Sequence, residues 1–292
     1  MKIVEKSRLW FGLSGLVILV GLVFVMITGL NLGIDFTGGT IIQIDLGKSF
    51  TTQEIREITD QFDEEAAITY AGENRTQVQV KTKLDLSEAE RAEIFNKFRE
   101  KYNLDAEDLV SMQKVGPVIG QQLKKQAFIS LAVAAVGMLM YITYRFEFKF
   151  GIAATTALLH DVLVVLAVYA ILQIPINTSF IAAMLTIVGY SINATIVVFD
   201  RIRENRGLFK KKASLAELVN TSINQTIARS VNTSFTTLMT ISMIYLLGVS
   251  AIKEFALPLM VGILSGTYSS ILIAGPLWAM WKGKEKPGKG RA

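Results

Sequence analysis

The stretch FGIAATTALLHDVLVVLAVYAIL, residues 150–172, carries one acid and one base along its whole length, the adjacent Asp161 and His160. A helix rises 1.5 Å per residue, so a run of this length crosses a hydrocarbon layer about 30 Å thick. A backbone in lipid must satisfy its own hydrogen bonds, which makes the run a helix. Its length and near absence of charge place the chain in a membrane.

Five further runs of the same kind lie outward from it. They are about Leu9 to Leu30, Leu123 to Tyr144, Ser179 to Phe199, Ala228 to Ser250 and Phe255 to Trp281. The first follows Lys2, Lys6 and Arg8, as a signal peptide would. It is too long for one, and Ile27-Thr28-Gly29-Leu30 is a poor cleavage site, so it reads as a retained anchor. Lys and Arg collect in alternate short segments: Lys2, Lys6 and Arg8; Arg145 and Lys149; Arg201 to Lys212; and the tail from Lys282 to Arg291. The opposite short loops hold only Lys253. The positive-inside rule then puts both termini on the cytoplasmic side and residues 31–120 outside.

That outer stretch holds ten Lys/Arg against seventeen Asp/Glu, a local balance of −7 in a chain of net +5. The basic excess is therefore a topology signal and not a nucleic-acid footprint. Thr40 to Leu46, Ala67 to Tyr70, Gln77 to Lys83 and Leu109 to Val115 read as strands, with Gly72-Glu73-Asn74 as a hairpin tip. Thr51 with Glu54, and Ser87 with Glu90, open helices to about Phe62 and Tyr102. The order β-α-β-β-α-β is a ferredoxin-like arrangement. The expected plan is an all-α membrane bundle of six transmembrane helices with one extracytoplasmic α/β domain between the first and second. Its parts are residues 1–30, 31–122, 123–281 with a cytoplasmic loop at 200–227 that is helical in part, with a cap signal at Ser214 to Glu217, and a basic tail at 282–292.

Ionisable groups inside spans cost about 2.5–3.5 kcal/mol on insertion scales and ask for a partner or a role. Asp161 is either a proton-exchanging site or a buried carboxyl bonded to a neighbouring helix. Arg229, Thr233, Thr236 and Thr240 follow i, i+4, i+7, i+11 and share one face, which Asn232 and Thr237 widen. Such a stripe lines a proton or water path, or it holds helices together with Arg229 reaching the inner surface. Thr186, Tyr190 and Asn193 form a matching face in the fourth span, with Ser191 and Thr195 nearby. The expectation is one polar core shared by Asp161, Asn193, Thr195 and Arg229. Gly262-x-x-x-Gly266 permits close helix approach.

The chain has no cysteine, no G-x-x-x-x-G-K-[ST] loop, no H-E-x-x-H and no G-x-S-x-G. No nucleotide engine, zinc site or hydrolase signature is evident, and an enzyme is not expected.

Gly33-Ile34-Asp35-Phe36-Thr37-Gly38-Gly39 resembles the D-F-x-G-G motif of the SecF family. Val115-Gly116-Pro117-Val118-Ile119-Gly120 resembles its V-G-P-x-x-G motif. Gly189-Tyr190-Ser191-Ile192-Asn193-Ala194-Thr195, running to Asp200-Arg201-Ile202-Arg203-Glu204-Asn205, resembles its fourth-span signature G-Y-S-x-N-D-T followed by D-R-I-R-E. Ser222 to Thr226, leading to Arg229, resembles the entry to its fifth span. The resemblance covers nearly the whole chain in order.

It implies a resistance-nodulation-division architecture in the bacterial cytoplasmic (inner) membrane, pairing with SecD and associating with the SecYEG channel. It implies action on a translocating, unfolded polypeptide, with no cofactor and a proton or sodium gradient as energy source. The family's relay residues include the carboxylate of N-D-T and an arginine that aligns with Arg229. Here the carboxylate position is Ala194, which cannot hold a proton. The chain is then a substituted form that traps one state, a natural form whose relay uses Asp161 or a partner's carboxylate, or a half that has lost coupling. Rival readings are a free-standing exporter of lipid or small solute, and a scaffold of the translocon.

Overall fold

The computed structural model describes residues 1–72, 76–209 and 214–283. The hairpin tip at Glu73 and Asn74, the lysines at 210–212 and the tail from 284 lie outside the described residues. In chain order the elements are α1 (Ser7–Thr28), α2 (Ile34–Thr37), β1 (Gly39–Asp45), α3 (Thr52–Thr59), β2 (Ala67–Ala71), β3 (Gln77–Thr82), α4 (Glu88–Tyr102) and β4 (Leu109–Val115). Then follow α5 (Pro117–Arg145), α6 (Phe148–Leu172), α7 (Thr178–Leu208), α8 (Leu215–Leu247) and α9 (Ser250–Ser269). A π-helical turn, Ser270–Ala274, joins α9 to α10 (Gly275–Gly283).

The four strands form one sheet in the order β2-β3-β1-β4, every neighbouring pair antiparallel. Alternation puts Ile42, Ile44, Val78 and Val80 on one face, where Ile55 and Ile58 of α3 and Ile94 and Phe98 of α4 cover them. Both helices start where the sequence signals it. Thr51 Oγ1 accepts from the Glu54 amide at 3.3 Å. Ser87 and Glu90 cap each other reciprocally, at 3.3 and 2.7 Å, which satisfies two amides that a helix start otherwise leaves bare.

Among the described residues five helices are long and apolar enough to cross a membrane: α1, α5, α6, α7 and the continuous run from α9 into α10. The helix α8, where a fifth span was expected, is not among them. Its first two-thirds is rich in Asn, Gln, Ser and Thr and carries Arg229, so its average polarity hides whatever apolar face it has. The polar stretch 200–227, read as a partly helical loop, holds the end of α7 and the start of α8. The end of α7 is held by Arg201–Glu204 and Arg203–Asp200 pairs at 2.7 and 2.6 Å. Ser214 caps α8 by accepting from the Glu217 amide at 3.1 Å.

Small residues set the close approaches. A methyl on Gly21 of α1 would fall 2.2 Å from the Ala167 Cβ of α6. One on Gly262 of α9 would fall 2.3 Å from Ile187 Cδ1 of α7. Phe150 stacks on Trp278 at 4.5 Å and tilts against Phe199 at 4.7 Å, closing one end of the core. Much of α1 is left facing outward, with Leu9, Leu16 and Leu19 each about 60% exposed, as a lipid-facing helix would be.

The 33–39 motif joins sheet to bundle. The Gly33 amide donates to Ile176 O at 2.7 Å, and the Ile176 amide to Asn31 O at 2.8 Å. Asp35 Oδ2 accepts from the Thr178 amide at 2.8 Å and its hydroxyl at 2.7 Å, at the start of α7. Phe36 is buried with Tyr169, Ile176 and Phe180. Gly38 and Gly39 have φ of 82° and 147°, where a side chain is strained. Gly116 is the residue before α5 and Pro117 its first, a favoured place for proline.

Candidate functional site

Asp161 is fully buried in the middle of α6. Its Oδ2 accepts from Ser191 Oγ of α7 at 2.6 Å and from Ser269 Oγ of α9 at 2.8 Å. Its Oδ1 accepts from Ser265 Oγ of α9 at 2.7 Å and lies 3.0 Å from His160 Nδ1. A carboxylate has about four acceptor positions, and all are used. That set suits the ionised acid, with the imidazole proton on Nδ1. Three helices thus meet on one side chain. The approach needs Gly266, where a methyl would fall 3.2 Å from the Ser191 Cβ.

His160 extends the cluster. Its ring stacks on Tyr268 at 5.9 Å, and Tyr268 donates to Trp10 O of α1 at 2.8 Å. Its Nε2 is buried and has no partner among the described residues. Thr195 is also buried, its hydroxyl 3.1 Å from Ser270 Oγ.

Arg229 and Asn193 lie elsewhere. Both are exposed, and both line a cleft of about 170 Å³ between α7 and α8, with Tyr190, Ala194 and Thr233. A second cleft, of about 320 Å³, adjoins it through Val197 and Arg229 and is lined by Asp200, Arg201 and Glu204. Arg201 also donates to Gln225 at 2.7 Å. Gly189 is exposed on the same helix. Among the described residues Arg229 makes no ion pair or hydrogen bond. Thr233, Thr236 and Thr240 are exposed beyond it, Thr236 and Thr240 bonding back to their own helix.

The single polar core expected from sequence is therefore two sites. Asp161 and Thr195 are interior, whereas Asn193 and Arg229 open outward on this chain. The face of α8 that turns inward is Ser230 and Ser234, where Tyr190 and Thr267 reach Ser234 at 3.4 and 2.6 Å. Sequence reasoning missed Ser265 and Ser269 as partners of Asp161. Their i, i+4 spacing around Gly266 was the available signal.

Residues 94–284 match the model of the protein export membrane protein SecD/SecF, C-terminal family, and residues 23–49 match the SecD/SecF GG motif. The protein translocase subunit SecF of Acidaminococcus fermentans is 37% identical over 97% of this chain and 98% of its own length. The chain belongs to the SecF family of protein translocase subunits. SecDF of Bacillus subtilis is 34% identical over 96% of this chain, which spans 38% of that longer protein. The crystal structure of SecDF from a Thermus species, described as a translocon-associated membrane protein, superimposes with a TM-score of 0.83. It shares 37% identity over 97% of this chain and 39% of that one. A super-membrane-facing form of SecDF gives 0.74. Family and helices together make this a multi-pass membrane protein.

Proposed function

We propose that this chain is the SecF half of an ion-driven secretion motor, working against a SecD half in the bacterial inner membrane. The supporting observation is the uncovered polar face of α7 and α8. An unpaired guanidinium beside Asn193, Tyr190 and a row of threonines is costly against lipid. A second membrane chain or a water-filled seam must cover it. SecDF relatives, in which this chain's counterpart is 38–39% of the length, supply candidates for that cover. In this reading α8 is a sixth span, both termini are cytoplasmic, and the sheet unit is a ferredoxin-like domain on the outer side. The substrate is an unfolded polypeptide leaving a SecYEG-type channel, and the energy comes from a proton or sodium gradient. One charge crossing 100 mV releases about 2.3 kcal/mol, several times thermal energy.

Ala194 supports a second reading, a scaffold without coupling, because its methyl beside Arg229 holds no proton. Co-expression with a SecD chain, co-purification, and export into membrane vesicles with and without an uncoupler test the first reading. Uncoupler-sensitive stimulation is expected, and larger stimulation for Ala194→Asp. Stimulation that an uncoupler leaves untouched, in both forms, assigns the scaffold role.

A further inference from the structure

The buried acid and the outer sheet are tied to the same helix. Near its outer end α9 carries Glu254, whose Oε1 pairs with Lys81 Nζ of β3 at 3.1 Å. Its Oε2 accepts from Asn177 Nδ2, the cap of α7, at 2.5 Å. Eleven residues further along, about 16 Å at the helical rise, the same helix presents Ser265 and Ser269 to Asp161. Between these ends α9 packs on α7 through Gly262 and Gly266, against which Ile187 and Ser191 of α7 sit.

We propose that α9 transmits the charge state of Asp161 to the outer sheet, the Lys81–Glu254 pair being its outer coupling. The ionised carboxylate accepts from four donors. A proton arriving from water on Oδ2 turns an acceptor into a donor, so the Ser191 or Ser269 hydroxyl must reverse its own proton and accept, for which Ser269 already has Gly266 O at 3.2 Å. The tie between α6, α7 and α9 is then redrawn, and α9 resettles along its glycine face. The groups facing the acid are His160 on its own helix, Ser191 from α7, and Ser265 and Ser269 from α9. Tyr268 stacks behind His160. Among the described residues no Lys, Arg, Asp or Glu side chain bonds to Asp161. The proposal deepens the ion-driven reading by naming the element that carries the motion.

The chain has no cysteine, so Gln113→Cys on β4 and Leu172→Cys at the end of α6 report sheet against bundle without background. Both positions are exposed. Nitroxide distances would be measured on the full chain in lipid nanodiscs. Asp161→Asn, a neutral isostere, is expected to shift the distance by about 1–2 Å, the usual scale of helix displacements at interfaces. The double variant Ser265→Ala/Ser269→Ala removes the α9 side of the tie and should give a shift too, which keeps the test open if Asp161→Asn folds poorly. In a Glu254→Gln background both shifts should vanish. No shift in either variant, or equal shifts with and without Glu254, overturns the transmission. Gradient-driven export that survives this negative result leaves the motor reading standing. A full shift with uncoupler-insensitive export sinks the motor reading instead.

Discussion

Ser265→Ala probes the buried acid most sharply. The hydroxyl donates to Asp161 Oδ1 at 2.7 Å, and without it that oxygen keeps only His160 at 3.0 Å. A hydrogen bond to a charged group contributes about 1.5–3 kcal/mol, a neutral one about 0.5–1.5. The same substitution in an Asp161→Asn background should therefore cost about 1 kcal/mol less. That difference is roughly five-fold in the unfolding equilibrium, since 1.4 kcal/mol is a factor of ten. The assay is reversible unfolding of the full chain in mixed micelles with rising dodecyl sulfate. It is followed by tryptophan fluorescence, because the Trp278 ring is fully buried in the bundle. The double-mutant cycle isolates the pairwise contribution. Equal costs in the two backgrounds would refute an ionised acid held by these hydroxyls.

Other contacts make further predictions. Gly262→Ala pushes a methyl to within 2.3–2.9 Å of three Ile187 side-chain atoms. It should destabilise the bundle by about 1–3 kcal/mol, and Ile187→Ala in the same chain should recover part of the loss in the same unfolding assay. Asp35→Ala strips both bonds from Thr178; losing this N-terminal capping carboxylate should cost about 0.5–2 kcal/mol, seen as faster hydrogen exchange at the first turn of α7. The Ser87 hydroxyl, and then its backbone amide, hold the Glu90 carboxyl below the usual glutamate value. Its stabilising effect is present above that usual value and fades as pH falls through the lowered one. Amides in the first turn of α4 should lose protection over that acidic window in the native chain, and the Ser87→Ala chain should show weaker protection already at neutral pH.

Much of this architecture is legible in the sequence. Uncharged runs of bilayer length mark five helices, and the Thr51 and Ser87 caps fix where α3 and α4 begin. The Asp35 and Gly38-Gly39 motif is recognisable, although its structural work, capping α7 and turning the chain into β1, is visible only in the fold. The site was harder to read. A helical period shows that Arg229, Thr233, Thr236 and Thr240 share a face, but not which way that face turns. Here it turns outward, and Ser230 and Ser234 turn in. Serines in an apolar helix bond equally well to their own preceding turn, so the i, i+4 spacing of Ser265 and Ser269 around Gly266 does not by itself say that they reach across to Asp161. Glu254 and Lys81 lie 173 residues apart, and nothing local links them.

Cross-linking tests the central claim most directly. A cysteine at Thr236→Cys, on the exposed polar face of α8, and a control at Leu19→Cys, on the apolar face of α1, would each be oxidised in native membranes against cysteines placed along a co-expressed SecD chain. The account predicts a covalent SecD adduct at position 236 and none at 19. Failure to capture SecD at 236, with a lipid-soluble thiol reagent reacting there as readily as at 19, would mean the polar face meets lipid and would contradict the account.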